Sequence, residues 1–182
     1  MTADDITRRL VFDLMGRSTV MPRFTPNNWW ECDVAELTKA GFLREYEIKV
    51  SRSDFFADRE KSTREWNRET HTFEIEKKHD LLASRDSRGP KQFYFVFPLG
   101  LITDNEIPEW AGYYTATERQ GRAAPFNVRL LRVRKAPVLH TTKADAELCN
   151  AIHASGYWRF LRATYKGSAP IIGEQVETEV CQ

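Results

Sequence analysis

Between Pro90 and Pro98 stands the run Gln92-Phe93-Tyr94-Phe95-Val96-Phe97. Successive side chains of a strand point to opposite faces, so a run that is apolar at nearly every position offers two apolar faces. Such a strand belongs in the middle of a sheet covered on both sides, and Pro98 ends it. The chain can supply the covering layers: 182 residues, 41% hydrophobic and 12% aromatic, suffice for one globular domain with a real core.

The chemistry gathers in residues 30–51, which read as two strands around the turn Lys39-Ala40-Gly41. Alternation puts Glu45, Glu47 and Lys49 on one face of the second strand and Tyr46, Ile48 and Val50 on the other. Glu31 and Asp33 share a face of the first. If the two strands pair, carboxylates from both meet one lysine at a single spot. Packing gains nothing from collecting like charges, so a cation is expected among them. A solvated hairpin with cross-strand ion pairs, each contributing little, would use the same residues.

Elsewhere, the spacing of Ile6, Leu10, Val11 and Leu14 predicts an amphipathic helix over residues 4–15. Asp4 and Asp5 suit its positive N-terminal end and Gly16 its stop. Asp13 falls at the edge of the buried stripe, either on a solvated flank or within reach of the acidic hairpin. Residues 17–28, with Pro22 and Pro26, read as a loop. Ser53 suits the N-cap of a short helix through Asp58. Residues 59–80 are dense in charge and free of Pro and Gly, and a long exposed helix and a mobile excursion both fit them. Residues 111–117 and 126–134 read as strands, the second carrying Arg129, Arg132 and Arg134. Residues 143–153 read as a helix with Leu148, Cys149 and Ile152 inward, broken at Gly156. Residues 166–182 read as a tail, in which Ile171 and Ile172 could dock, leaving residues 1–165 as the single domain.

An acid, a turn, and then Glu-x-Lys on a strand (Asp33, then Glu47-Ile48-Lys49) resembles the PD-(D/E)xK nuclease superfamily, with Cys32 where the name-giving proline would stand. The flanking run 45–55 and Lys77-Lys78-His79 look like a small bacterial and phage branch of DNA-repair-like proteins. The resemblance spans about residues 1–115. It implies a restriction-endonuclease-like α/β fold: a mixed central sheet flanked by helices, built on an αβββαβ core, with C-terminal additions. It further implies a Mg²⁺-dependent deoxyribonuclease, Mn²⁺ serving as a substitute, that hydrolyses phosphodiester bonds in DNA repair, recombination or phage DNA processing. Asp33 and Glu47 would then bind the ion with the main-chain carbonyl of Ile48. Lys49 would hold the attacking water or stabilise the developing charge.

A lysine among carboxylates stays protonated, which suits it to the electrostatic role and not to that of a base. Asp13, in the position of the first-helix acid that many superfamily members contribute, together with Glu31, Glu45 and His79, are further candidates for the site. For Glu31 and Glu45 the other reading, a solvent-facing place at the sheet rim, is the preferred one. Ser51, Arg52 and Ser53 at a helix start, with Lys77 and Lys78, are candidates for phosphate contact. Trp29, Trp30 and Trp66 could stack on bases or simply pack. A non-catalytic DNA- or partner-binding module would keep the same fold, and the resemblance leaves a homodimer open.

Twenty-seven lysines and arginines against 26 aspartates and glutamates give a net charge of +1. That balance neither announces nor excludes a nucleic-acid partner, because an acidic metal site and a basic rim average to neutrality. Cys32, Cys149 and Cys181 form no metal-spaced pair and read as reduced thiols. No Walker-type loop, HExxH or GxSxG motif appears. Without an apolar leader or a run of membrane-spanning length, the expectation is a cytoplasmic protein with no membrane partner.

Overall fold

The computed structural model describes residues 1–26, 29–67, 71–123 and 126–164. Thr2 opens the first helix, α1 (Ala3–Met15), through a capping box in which its hydroxyl accepts the Asp5 N–H and the Asp5 carboxylate accepts the Thr2 N–H. Ile6, Leu10 and Leu14 form its buried stripe, as the spacing predicts.

Three antiparallel strands follow: β1 (Ser18–Phe24), β2 (Cys32–Thr38) and β3 (Leu43–Ile48). The chain then makes a short helix, α2 (Arg52–Ala57), and a separate two-stranded hairpin, β4 (Ser62–Asn67) with β5 (Thr72–Lys77). Helix α3 (Lys78–Ser84) leads back to the sheet, which continues with β6 (Gln92–Pro98), β7 (Ala111–Glu118) and β8 (Val128–Arg134). A last helix, α4 (Ala146–Thr164), closes the described chain. The sheet runs β1-β2-β3-β6-β7-β8; β3, β6 and β7 are parallel and the outer pairs antiparallel. The protein is thus an α/β fold with a mixed six-stranded sheet and four α-helices among the described residues.

The inner position of β6 follows from its two apolar faces. Phe93, Phe95 and Phe97 pack with Phe55 of α2 and Leu82 of α3, while Tyr94 and Val96 pack with Ile6, Leu10 and Leu14 of α1. A third cluster joins Ile152 of α4 to Met21 of β1 and to Ala35 and Leu37 of β2. No helix among the described residues is long and apolar enough to cross a membrane.

Four features differ from the sequence reading. Residues 18–24 are a strand, not a loop: β1 lies at the sheet edge, where Pro22, opposite Val34, needs no second ladder partner. Residues 62–84 are a hairpin and a helix instead of one long helix or an excursion. Gly156 lies inside α4 and does not end it; a Cβ there would stand 3.0 Å from Cε of Met21, so the residue serves close packing on β1. The short helix α2 is capped by Ser51, not Ser53. The expected tail, with Ile171, Ile172 and Cys181, lies outside the described residues.

At Gly112 of β7 the chain leaving β8 passes so close that a Cβ would lie 2.3 Å from the Ala136 nitrogen and 2.7 Å from the Arg134 oxygen. Neither backbone atom can swing aside. Gly112→Ala should therefore lower the unfolding free energy by about 1–3 kcal/mol, read from urea denaturation. An unchanged midpoint would contradict this packing.

Candidate functional site

The β2–β3 pairing gathers the acids. Val34 pairs with Tyr46 and Ala35 with Glu45, so one step further along Asp33 stands opposite Glu47. The Asp33 carboxylate accepts the Ile48 N–H at 2.7 Å, which fastens it to the end of β3. Just past β3, the Lys49 N–H donates to the Val96 carbonyl at 3.0 Å, keeping Lys49 in the sheet and its side chain beside Glu47. On this face β6 sets Phe93 next to Glu45 and Phe95 next to Glu47, both rings fully buried. The carboxylates therefore rise from an apolar floor.

Glu45, Glu47 and Asp58 are 1%, 2% and 0% exposed. Charges buried to that degree need partners. Glu47 meets Lys49 at 2.9 Å and Lys61 at 2.6 Å on one oxygen and Lys78 at 3.3 Å on the other. Asp58 meets Lys61 at 2.7 Å, Lys49 at 3.0 Å and the His79 ring at 2.8 Å. Glu45 pairs with Lys78 and accepts the Trp29 indole N–H at 2.7 Å. Lys78 is completely buried, its ammonium 5.1 Å from the centre of the Phe93 ring.

The hairpin explains how two of these lysines arrive together. Ser62 pairs with Lys77 at its base, and the Lys78 N–H donates to the Lys61 carbonyl at 3.1 Å. Lys61 and Lys78 flank that base and enter the acidic cluster side by side.

Burial favours neutral lysine, but the charges of Glu47 and Asp58 hold Lys49 well above its ordinary pKa, and those of Glu45 and Glu47 do the same for Lys78. Asp58 is likewise opposed by burial, yet the His79 hydrogen bond and the charges of Lys78 and Lys49 keep it well below the carboxylate range. Asp33 moves the other way. Burial first, and the charge of Glu47 second, push its pKa up, and the hydrogen bond from Ile48 only partly offsets them. It forms no ion pair with a described residue. A cavity of about 280 Å³ opens beside it, lined also by Glu47, Ile48, Lys49, Asp54 and Lys61 and by Asp4 and Thr7 of α1.

The expected centre, Asp33, Glu47, Ile48 and Lys49, is thus brought together. Glu45 also belongs to the cluster, but buried beneath it instead of at a solvated rim. His79 joins through Asp58 and packs edge-on against Trp110. Asp13 does not join: it pairs with Arg9 one turn away, at 2.9 Å, and the acid of α1 that reaches the cavity is Asp4. Glu31 is exposed, ahead of β2.

Among the residues expected at phosphate, Lys78 is sealed in the core and cannot touch a nucleic acid. Arg52 folds onto Glu106 in a two-pronged ion pair and onto the Leu101 carbonyl, and this pairing holds the Glu106 carboxyl down at about 2. Ser51 is spent on capping Asp54, and its hydroxyl lies 3.1 Å from that of Ser53. Lys77 is exposed and pairs with Glu60 at 3.2 Å. Trp29 is buried, with Trp30 edge-on against it, so both pack; the Trp66 side chain lies outside the described structure.

Sequence reading missed Asp58 and Lys61. Asp54 and Asp58, one helical turn apart directly after the Glu-x-Lys strand, were the available signal. Nothing local marks Lys61, whose role depends on the hairpin that follows it.

A solved structure, the SPO1766 protein of unknown function from Silicibacter pomeroyi, matches this fold with a TM-score of 0.62 over 94% of this chain and 97% of that one, at 15% sequence identity. The likeness is one of fold alone. No protein-family model and no curated protein matches the chain.

The raised pKa of Asp33 carries a sign. An acid bound more tightly to its proton in the folded state penalises folding once pH exceeds its unfolded value of about 3.9. Asp33→Asn keeps an acceptor for Ile48 and removes the charge. The variant should unfold at a higher temperature than the parent at pH 7, and the gain should vanish below about pH 4. A loss of stability at pH 7 would contradict this electrostatic account.

Proposed function

We propose that the protein is a metal-dependent deoxyribonuclease of the PD-(D/E)xK kind, hydrolysing phosphodiester bonds at the cavity beside Asp33, Glu47 and Lys49. The observation that carries the reading is the half-buried Asp33 carboxylate, which has no ion pair with a described residue and stands beside Glu47 at the cavity, in a cluster whose fully buried acids all meet cations. The order of elements supports it. Helix α1, strands β1, β2 and β3, helices α2 and α3 and then β6 follow an αβββαβ sequence into which the β4–β5 hairpin is inserted. The third strand this order requires is β1.

The donor set fits a hard divalent ion. Asp33, Glu47 and the Ile48 carbonyl offer oxygen only, which suits Mg²⁺ or Mn²⁺. Among the described residues no group of three or more His, Cys, Asp or Glu side chains is gathered so as to hold a metal. Water and the phosphate itself would complete the shell, a common arrangement for Mg²⁺. Bound there, the ion would neutralise charge on the phosphate and make a water more acidic.

The chain's own groups divide the remaining work. Lys61, 2.6 Å from Glu47 and partly exposed, is the cation that must yield its place. Lys49 stays protonated and presents an ammonium to charge developing on the phosphate. Asp58, fixed by His79, positions Lys49, and Lys78 steadies Glu47 from below. Arg23 at the cavity and Lys77, held only by exposed ion pairs to Asp4 and Glu60, can turn to the DNA backbone.

One observation favours a catalytically inactive DNA- or partner-binding module instead: Glu47 already meets three lysines. An assay on linear, nicked, flapped and four-way DNA with Mg²⁺ or Mn²⁺ separates the two. The nuclease should cleave in an EDTA-sensitive manner, and Asp33→Asn and Glu47→Gln, each verified as folded, should lose roughly a hundredfold or more. Cleavage that survives EDTA, or both substitutions, contradicts the proposal. DNA binding with no cleavage in either metal would establish the inactive module.

A further inference from the structure

A second cavity, of about 320 Å³, opens at the opposite end of α1. Leu14 lines this one and Asp4 the first, and the ten residue steps from one to the other span about 15 Å of helix. Its chemistry is inverted. Arg17, Lys39, Arg44 and Arg132 line it, and Glu36 is the one acid among its described lining residues.

Glu36 is itself spent. Only 1% exposed, it accepts the Ser18 hydroxyl at 2.6 Å and the Tyr46 hydroxyl at 2.7 Å, and it pairs with Arg44 at 3.3 Å. Arg44 is held twice over: Nη1 lies on Glu36, and Nε donates to Gln92 at 2.9 Å. Gln92 is fixed in turn by donating to the Ala136 carbonyl at 2.8 Å. This leaves Nη2 of Arg44 without a hydrogen bond to any described residue, on a guanidinium whose plane is already set. Arg132 pairs across the strands with Tyr114, whose ring meets the stacked Tyr46 and Tyr94 rings.

A cross-strand Glu–Arg pair alone would need neither the further cations nor the cavity. A guanidinium oriented by buried partners, with one donor edge free among other cations, is a preorganised receptor for a tetrahedral oxyanion. We propose that this cavity binds a phosphate group, carried on a nucleotide or on a nucleic-acid strand, through Arg44 and Arg132 with Arg17 and Lys39 at the rim. The cavity is larger than a phosphate needs, and the Tyr114 ring gives an attached base an aromatic wall. The inference stands apart from the nuclease reading, because no residue of the acidic cluster takes part.

The test is a titration of the full chain at low salt without divalent ions, followed by amide NMR shifts. The probes are inorganic phosphate, deoxyadenosine, deoxyadenosine 5′-monophosphate and a short single-stranded oligonucleotide. The monophosphate should saturate, moving amides near Ser18, Glu36, Arg44 and Arg132, and bind at least tenfold more tightly than deoxyadenosine. Arg132→Ala and Arg17→Ala, both surface changes, should weaken it about tenfold for each charged hydrogen bond lost, whereas Glu47→Gln should leave it unchanged. An oligonucleotide that binds more tightly than the monophosphate identifies a strand as ligand, and the reverse order identifies a nucleotide. No saturable binding of any phosphate probe, equal affinity in both arginine variants, or shifts confined to the Asp33–Lys49 cavity would overturn the proposal.

Discussion

Two glutamates in the middle of a sheet, Glu45 and Glu47, are set against phenylalanines on the neighbouring strand. Removing each from water costs several kcal/mol unless cations and hydrogen bonds meet it. The end of β3 supplies only Lys49, the next residue. The other ammonium groups come from the crossover between β3 and β6, which returns over this face carrying Lys61 and Lys78 at the base of the β4–β5 hairpin. The hairpin, which stands outside the main sheet, thus brings two lysines to one point. Helix α3 begins where it does because Lys78 must be sunk there, with His79 beside it to hold Asp58.

The same constraint shapes what the site can do. The buried carboxylates of the cluster are neutralised from within, whereas the half-buried Asp33 has no ion pair with a described residue and stands at the cavity beside Glu47, with burial working against its charge. The place of least compensation is therefore the place where an added cation gains most. At the other end of α1 the balance reverses, with cations in excess around the spent Glu36. A chain whose formal charge is close to zero thus has an acid-rich cavity at one end of α1 and a cation-rich one at the other, and its net charge conceals both.

What could be read from the residues, and what could not, follows from how local the cause was. The central strand announced itself because burial on both faces leaves an unbroken apolar run, and α1 because one buried stripe leaves a helical period. The meeting of Asp33, Glu47 and Lys49 was legible because strand alternation decides which side chains share a face. β1 was hidden by Pro22, acceptable only because the strand is an edge. The hairpin was hidden because strands outside the main sheet need no alternating apolar face. The burial of Glu45 was unreadable, since its neutralising partner, Lys78, lies beyond two strands and a helix in sequence. The same remoteness made Lys78 and Arg52 look like phosphate ligands, although one is consumed by the core and the other by Glu106.

The central claim is that the incompletely neutralised corner between Asp33 and Glu47 takes a divalent ion. Paramagnetic Mn²⁺, added in small fractions of an equivalent to the ¹⁵N-labelled protein, tests it most directly through distance-dependent broadening of amide signals. The account predicts selective loss of the Asp33, Ile48 and Lys49 amides, reversed by EDTA and absent in Asp33→Asn. Broadening centred elsewhere, or an unchanged pattern in that variant, would contradict it.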